Sequence, residues 1–96
     1  MRLTIDAVHA IRNSIRDAWE DAEVWLFGSR VDDFRKGGDI DLYIEVGREV
    51  QMTEQLRVMS RLQRVLGERK IDLVIRTPGS SERSIFQTAK HTGVRL

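Results

Sequence analysis

The chain has no cysteine, a single proline (Pro78), little aromatic content (6%) and almost no net charge (+1). Without cysteine, disulfides and zinc–thiolate centres are excluded, and a reducing compartment is the natural setting. With one proline there is no Pro-rich linker, and no internal repeat or low-complexity tract divides the 96 residues, so one small domain, 1–96, is expected. No apolar run approaches the ~20 residues of a membrane span. The first residues carry Asp6 and no apolar signal core, so the cytoplasm is the expected location. A net charge of +1 gives no bulk attraction to nucleic acid or to a membrane. An anionic ligand would need a local site.

What is present is periodic. Ile5, Val8, Ile11, Ile15 and Trp19 recur every three or four residues and predict a helix over 4–19, with Thr4 as N-cap and Asp6 in its first turn. "EVWLF" at 23–27 predicts a short strand ending at Gly28. Residues 29–38 predict a turn with a helical stub, loosened by "KGG" at 36–38. "DIDLYIEV" at 39–46 alternates Ile40, Leu42, Ile44 and Val46 with Asp39, Asp41, Tyr43 and Glu45, which predicts a strand with one apolar and one charged face. A helix is expected over 51–66, striped by Met52, Leu56, Met59, Leu62 and Leu66 and stopped by Gly67. "RKIDLVIR" at 69–76 predicts a third strand. Thr77 and Pro78 look like the cap and first residue of a last helix over 79–91, with Ile85, Phe86 and Ala89 inward and Gly93 as its stop. The order α-β-(α)-β-α-β-α implies an α/β (α+β) domain with a small mixed sheet of about three strands flanked by helices. The loop between the first two strands permits an antiparallel pair, and the helix at 51–66 is long enough to cross between parallel strands.

The chemistry lies in the aspartates. Asp39 and Asp41 are two apart on one strand, so they share a face about 7 Å apart. Asp72 repeats their context, "KIDLVI" against "DIDLYI", and joins them if the strands are neighbours. Converging carboxylates repel, and at least one would protonate unless a cation intervenes. Hard oxygen ligands select Mg²⁺ or Mn²⁺. Three aspartates suit two ions bridged by a nucleotide, an arrangement that stabilises the attacking and leaving oxygens of an in-line displacement. Gly28 lets backbone approach a phosphate, and Ser29 offers a hydroxyl and an N–H to an anion.

"FGS", nine further residues and "DIDL" resemble the signature of the DNA polymerase beta-type nucleotidyltransferases. Phe27, Gly28, Ser29, Asp39, Ile40, Asp41 and Leu42 fill that pattern, and Asp72 matches the family's third acid. The chain has no room for an added substrate domain and so resembles the minimal nucleotidyltransferases, small prokaryotic antitoxins often encoded beside a HEPN-type toxin. The resemblance implies transfer of AMP from ATP to a hydroxyl, in some members a tyrosine of the toxin. It implies that Asp39, Asp41 and Asp72 hold Mg²⁺ and carry the catalysis, and that Gly28 and Ser29 hold the triphosphate, with Arg30 placed to reach a β- or γ-phosphate. Arg35, Lys36 and Arg76 are weaker phosphate candidates. His9 and His91 read as surface or packing residues. Arg57, Arg61 and Arg64 read as one solvated helix face, or a face for an acidic partner. Rival functions are a non-catalytic module that neutralises a partner by occlusion, and nucleotidyl transfer to a small molecule or RNA. A toxin partner or a dimer mate would complete an otherwise open cleft.

Overall fold

The computed structural model describes residues 4–27, 40–67 and 70–96. The first helix, α1, spans Ile5–Ala18. Its cap is the expected one: the Ala7 N–H donates to the Thr4 hydroxyl at 3.0 Å. Strand β1 (Glu23–Phe27) follows, then β2 (Ile40–Glu45), helix α2 (Met52–Leu66), β3 (Ile71–Arg76), helix α3 (Ser84–Thr92) and a two-residue strand β4 (Val94–Arg95). The predicted stub at 29–38 lies outside the described residues.

The sheet is mixed, with strand order β3-β2-β1-β4. β1 pairs antiparallel with β2, and β2 pairs parallel with β3. The connection between the parallel strands is α2, so both pairing modes open in the sequence occur. β4 adds a fourth strand that the sequence reading lacked, antiparallel to β1. Two residues carry no readable alternation; β4 exists because β1 offers an unpaired edge there.

The helices divide between the faces. On one, α1 and α2 pack Ile11, Ile15, Trp19, Val58 and Leu62 against Val24, Leu26, Ile40, Leu42, Ile44 and Ile71. On the other, α3 sets Phe86 and Ala89 on Trp25, Phe27 and Tyr43.

Three local expectations are corrected. Of the expected α2 stripe, Leu62 is buried and Met59 and Leu66 pack on the core beside Val58, whereas Met52 is 66% and Leu56 58% exposed. Apolar spacing gives the stripe's period, but its phase is set by the sheet beneath. Ile5 is likewise 73% exposed, at the first residue of α1. Finally, α3 begins at Ser84, and Thr77 and Pro78 form a turn instead of a cap. The Ser80 N–H donates to the Thr77 carbonyl at 3.1 Å, and Pro78 at the second position of that turn suits its fixed φ. Glu49 locks the turn, accepting from the Thr77 hydroxyl at 2.9 Å and from the Gly79 N–H at 2.6 Å. That contact spans 28 residues of chain and left no local signal.

Candidate active site

Registers fix which side chains stand together. Phe27 opposes Asp41 across the antiparallel ladder, and Asp41 opposes Asp72 across the parallel one. Opposed residues share a face, so Phe27, Asp41 and Asp72 form one row on the α3 side of the sheet. Neighbouring strands are about 4.8 Å apart, which brings the two carboxylates within reach of a common ion. Asp41 is half-buried and Asp72 exposed, so the row lies at the rim of the sheet, open to solvent on the β3 side. The sequence echo between the two "IDL" segments is therefore a spatial pairing.

Asp39, Gly28, Ser29 and Arg30, the other expected site residues, lie outside the described residues. Among the described residues no group of three or more His, Cys, Asp or Glu side chains could hold a metal ion. Asp41 and Asp72 nevertheless fit a divalent cation by their chemistry. They are two hard oxygen donors of like charge, directly opposed on a half-open surface, and Mg²⁺ takes one or two carboxylates and fills its remaining positions with water and phosphate.

Two further rows complete this face. Trp25, Tyr43 and Val74 form the next, and Glu23, Glu45 and Arg76 the last. Tyr43 has no exposed surface. Its ring lies between Trp25, at 5.4 Å, and Phe86, at 5.7 Å. Its hydroxyl donates to Glu45 Oε2 at 2.7 Å. Burial, and then the Glu45 carboxylate, push its pKa up to about 12 against the opposing pull of the Arg76 guanidinium. Sequence alternation placed Tyr43 on a charged face; α3, by covering that face, makes it a second core.

Cations roof this cluster. Arg76 and Arg83 lie over the Phe86 ring at 5.3 and 5.5 Å, and Lys90 and Arg95 over the Trp25 ring at 5.2 and 5.7 Å. Arg76 pairs with Glu82 at 2.5 Å, Lys90 with Glu45 at 3.3 Å and Arg95 with Glu23 at 2.9 Å. Arg76 is thus committed to a carboxylate and a ring, four residues along β3 from Asp72 and so about 13 Å away. His9 and His91 are exposed. That Phe27 stands in the Asp41–Asp72 row was not legible, because row membership follows from strand register and not from the order of residues.

Three helices about a four-stranded mixed sheet are consistent with a nucleotidyltransferase fold. The chain belongs to the polymerase beta nucleotidyltransferase family, whose profile matches residues 11–96. No curated protein matches it. Among solved structures, it is similar to a chain of the toxin–antitoxin pair MntA–HpeT, in a mutant form, with a TM-score of 0.70 and 21% identity over 93% of this chain and 69% of that one. It is also similar to a chain of the complex of a tri-AMPylated Shewanella oneidensis HEPN toxin with an MNT antitoxin. There the TM-score is 0.69 and the identity 20%, over 93% of this chain and 67% of the other. At that identity the likeness is one of fold. Among the described residues no helix is long and apolar enough to cross a membrane.

Proposed function

We propose that the chain is an antitoxin that transfers AMP from ATP to a hydroxyl of a HEPN-type toxin, a tyrosine by the family resemblance. The observation that carries this reading is the opposition of Asp41 and Asp72 across the β2–β3 ladder in a chain of the nucleotidyltransferase family. It is supported by the likeness of fold to a chain from a complex described as an AMPylated HEPN toxin with its antitoxin.

In this reading Asp41 and Asp72, with Asp39, hold the divalent cation. Mg²⁺, when bound, neutralises the triphosphate and favours in-line displacement at the α-phosphorus. The toxin hydroxyl oxygen bonds to that phosphorus as the bond to the β-phosphate bridging oxygen breaks, and pyrophosphate leaves. Asp72, the more exposed carboxylate, is placed to take the hydroxyl proton. Gly28 and Ser29 are assigned to the phosphates, with Arg30 beside them. Phe27, buried next to Asp41, limits water on the β1 side of the row.

The test is incubation of the chain with its genetically adjacent HEPN protein, Mg²⁺ and ATP labelled at the α-phosphate. Label should reach the toxin with the native chain and be lost with Asp39→Asn/Asp41→Asn. If toxin is neutralised equally well by that variant and no label transfers, the protein works by occlusion and the catalytic reading is wrong.

A further inference from the structure

The outer side of α2 brings arginines and an exposed leucine together. Arg57, Arg61 and Arg64 follow one helical stripe, and only Arg61 is engaged, by Asp17 of α1 at 2.6 Å. Arg57 and Arg64 make no ion pair or hydrogen bond among the described residues. Beside them stands Leu56, 58% exposed. Across the molecule the situation is reversed: Arg76, Lys90 and Arg95 are each tied to a carboxylate, and Arg83 lies over Phe86. Uncommitted cations and an exposed large apolar side chain therefore coincide on α2.

The surface has shape as well as charge. Leu56, Ser60 and Arg64 are successive i, i+4 positions, and the small Ser60 leaves a notch between two long side chains. A depression of about 400 Å³ runs along them, bounded by Arg57 and Arg61. It adjoins a second of about 320 Å³ in the α1–α2 groove, which shares those two arginines. Rows of this spacing are the grooves into which a second helix seats its ridges.

We infer that the outer face of α2, around Leu56, Arg57 and Arg64, is a docking surface for an acidic amphipathic helix of a partner protein. Arg57 and Arg64 are two turns apart, about 10.5 Å along the axis, so carboxylates two turns apart on the incoming helix would meet both. An apolar side chain between them would enter the notch beside Leu56. A second copy of this chain, docked face to face, would oppose arginine with arginine. A nucleic-acid backbone would want a continuous basic track, but Asp17 interrupts it, and Arg12 and Arg16 line a separate depression with His9 and Asn13. The surface lies on the α1–α2 side of the sheet, opposite the Asp41–Asp72 row, so a partner held here leaves that row open. The inference does not depend on nucleotidyl transfer, and binding is measured without nucleotide.

The probe is a fluorescein-labelled helical peptide about 20 residues long, with glutamates two turns apart and leucines between them. Its binding to the full chain is followed by anisotropy. Saturable binding is expected, weakened about 10-fold or more by Arg57→Glu/Arg64→Glu and severalfold by Leu56→Ser, but not by Asp41→Asn. All these positions are at least partly exposed, and circular dichroism checks that each variant is folded. The inference is overturned by absence of saturable binding, by equal binding of a scrambled peptide, or by indifference to Leu56→Ser. It is also overturned if duplex RNA or anionic vesicles bind the native chain more tightly than the peptide and lose that binding in the arginine variant, which would make the surface a polyanion site.

Discussion

Asp41 stands directly opposite Asp72 in the parallel ladder between β2 and β3. Two carboxylates opposed in register are drawn together by a bound cation, and that effect is measurable. Asp72→Asn, at an exposed position, should leave the thermal midpoint in EDTA nearly unchanged. Mg²⁺ should raise the midpoint of the native chain, by linkage to binding, and have little effect on Asp41→Asn/Asp72→Asn. Nucleotidyl transfer should fall on the order of 100-fold in either single variant. A large loss of stability of Asp72→Asn in EDTA would show that Asp72 serves the fold instead.

The phase of α2 predicts a sharp contrast between two leucines. Leu62 has no exposed surface and Leu56 is 58% exposed. Leu62→Ala should cost about 2–5 kcal/mol, as a buried deletion that leaves a cavity. Leu56→Ala should lie within about 0.5 kcal/mol of the native chain. Urea unfolding of the two variants distinguishes this phase from the stripe that spacing alone suggested.

Gly93 joins α3 to β4 where there is no room for a side chain. A Cβ there would run into the Ala89 carbonyl oxygen, lie 2.8 Å from the Leu26 carbonyl oxygen and press on Phe27. Gly93→Ala should cost about 1–3 kcal/mol. Because Phe27 neighbours Asp41 in register, it should also lower nucleotidyl transfer more than an equally destabilising change at Leu62. Gly67 is the converse case: space is open around it, but its φ of +82°, with ψ of −152°, makes Gly67→Ala cost about 1–3 kcal/mol through backbone strain alone.

Glu54 ties the start of α2 to the loop before it. It accepts from Arg48 Nη2 at 2.7 Å and from the Gln51 N–H at 3.0 Å. The Arg48 hydrogen bond, then that of the Gln51 backbone, hold its pKa down to about 2 from an ordinary 4.5. A depressed carboxylate stabilises the fold above its unfolded pKa and loses that contribution as pH falls through the folded one. The native chain should thus be more stable than Glu54→Gln above pH 4.5, and the difference should close on acidification toward pH 2. Tyr43 acts at the other end of the scale. Its neutral form is favoured by burial, so its contribution is present below pH 10 and is lost as pH rises toward about 12. Denaturant midpoints across both ranges, compared with Glu54→Gln and Tyr43→Phe, check the two signs.

The sequence by itself determined the order of α1, β1, β2, α2, β3 and α3, the Thr4 cap, the Gly67 stop and the kinship of the "IDL" segments at Asp41 and Asp72. These are local or repeat within the chain, and short-range hydrogen bonding and alternation express them directly. Only the tertiary structure decided that Asp41 and Asp72 face each other, that α2 buries Val58 and exposes Leu56, that Glu49 reaches across to lock Thr77 and Gly79, and that Tyr43 is core. Each of these depends on strand register or on packing between elements far apart in the chain. A period of two or of 3.6 residues names the faces of a strand or a helix; which face meets a neighbour is settled when the sheet pairs and the helices close on it.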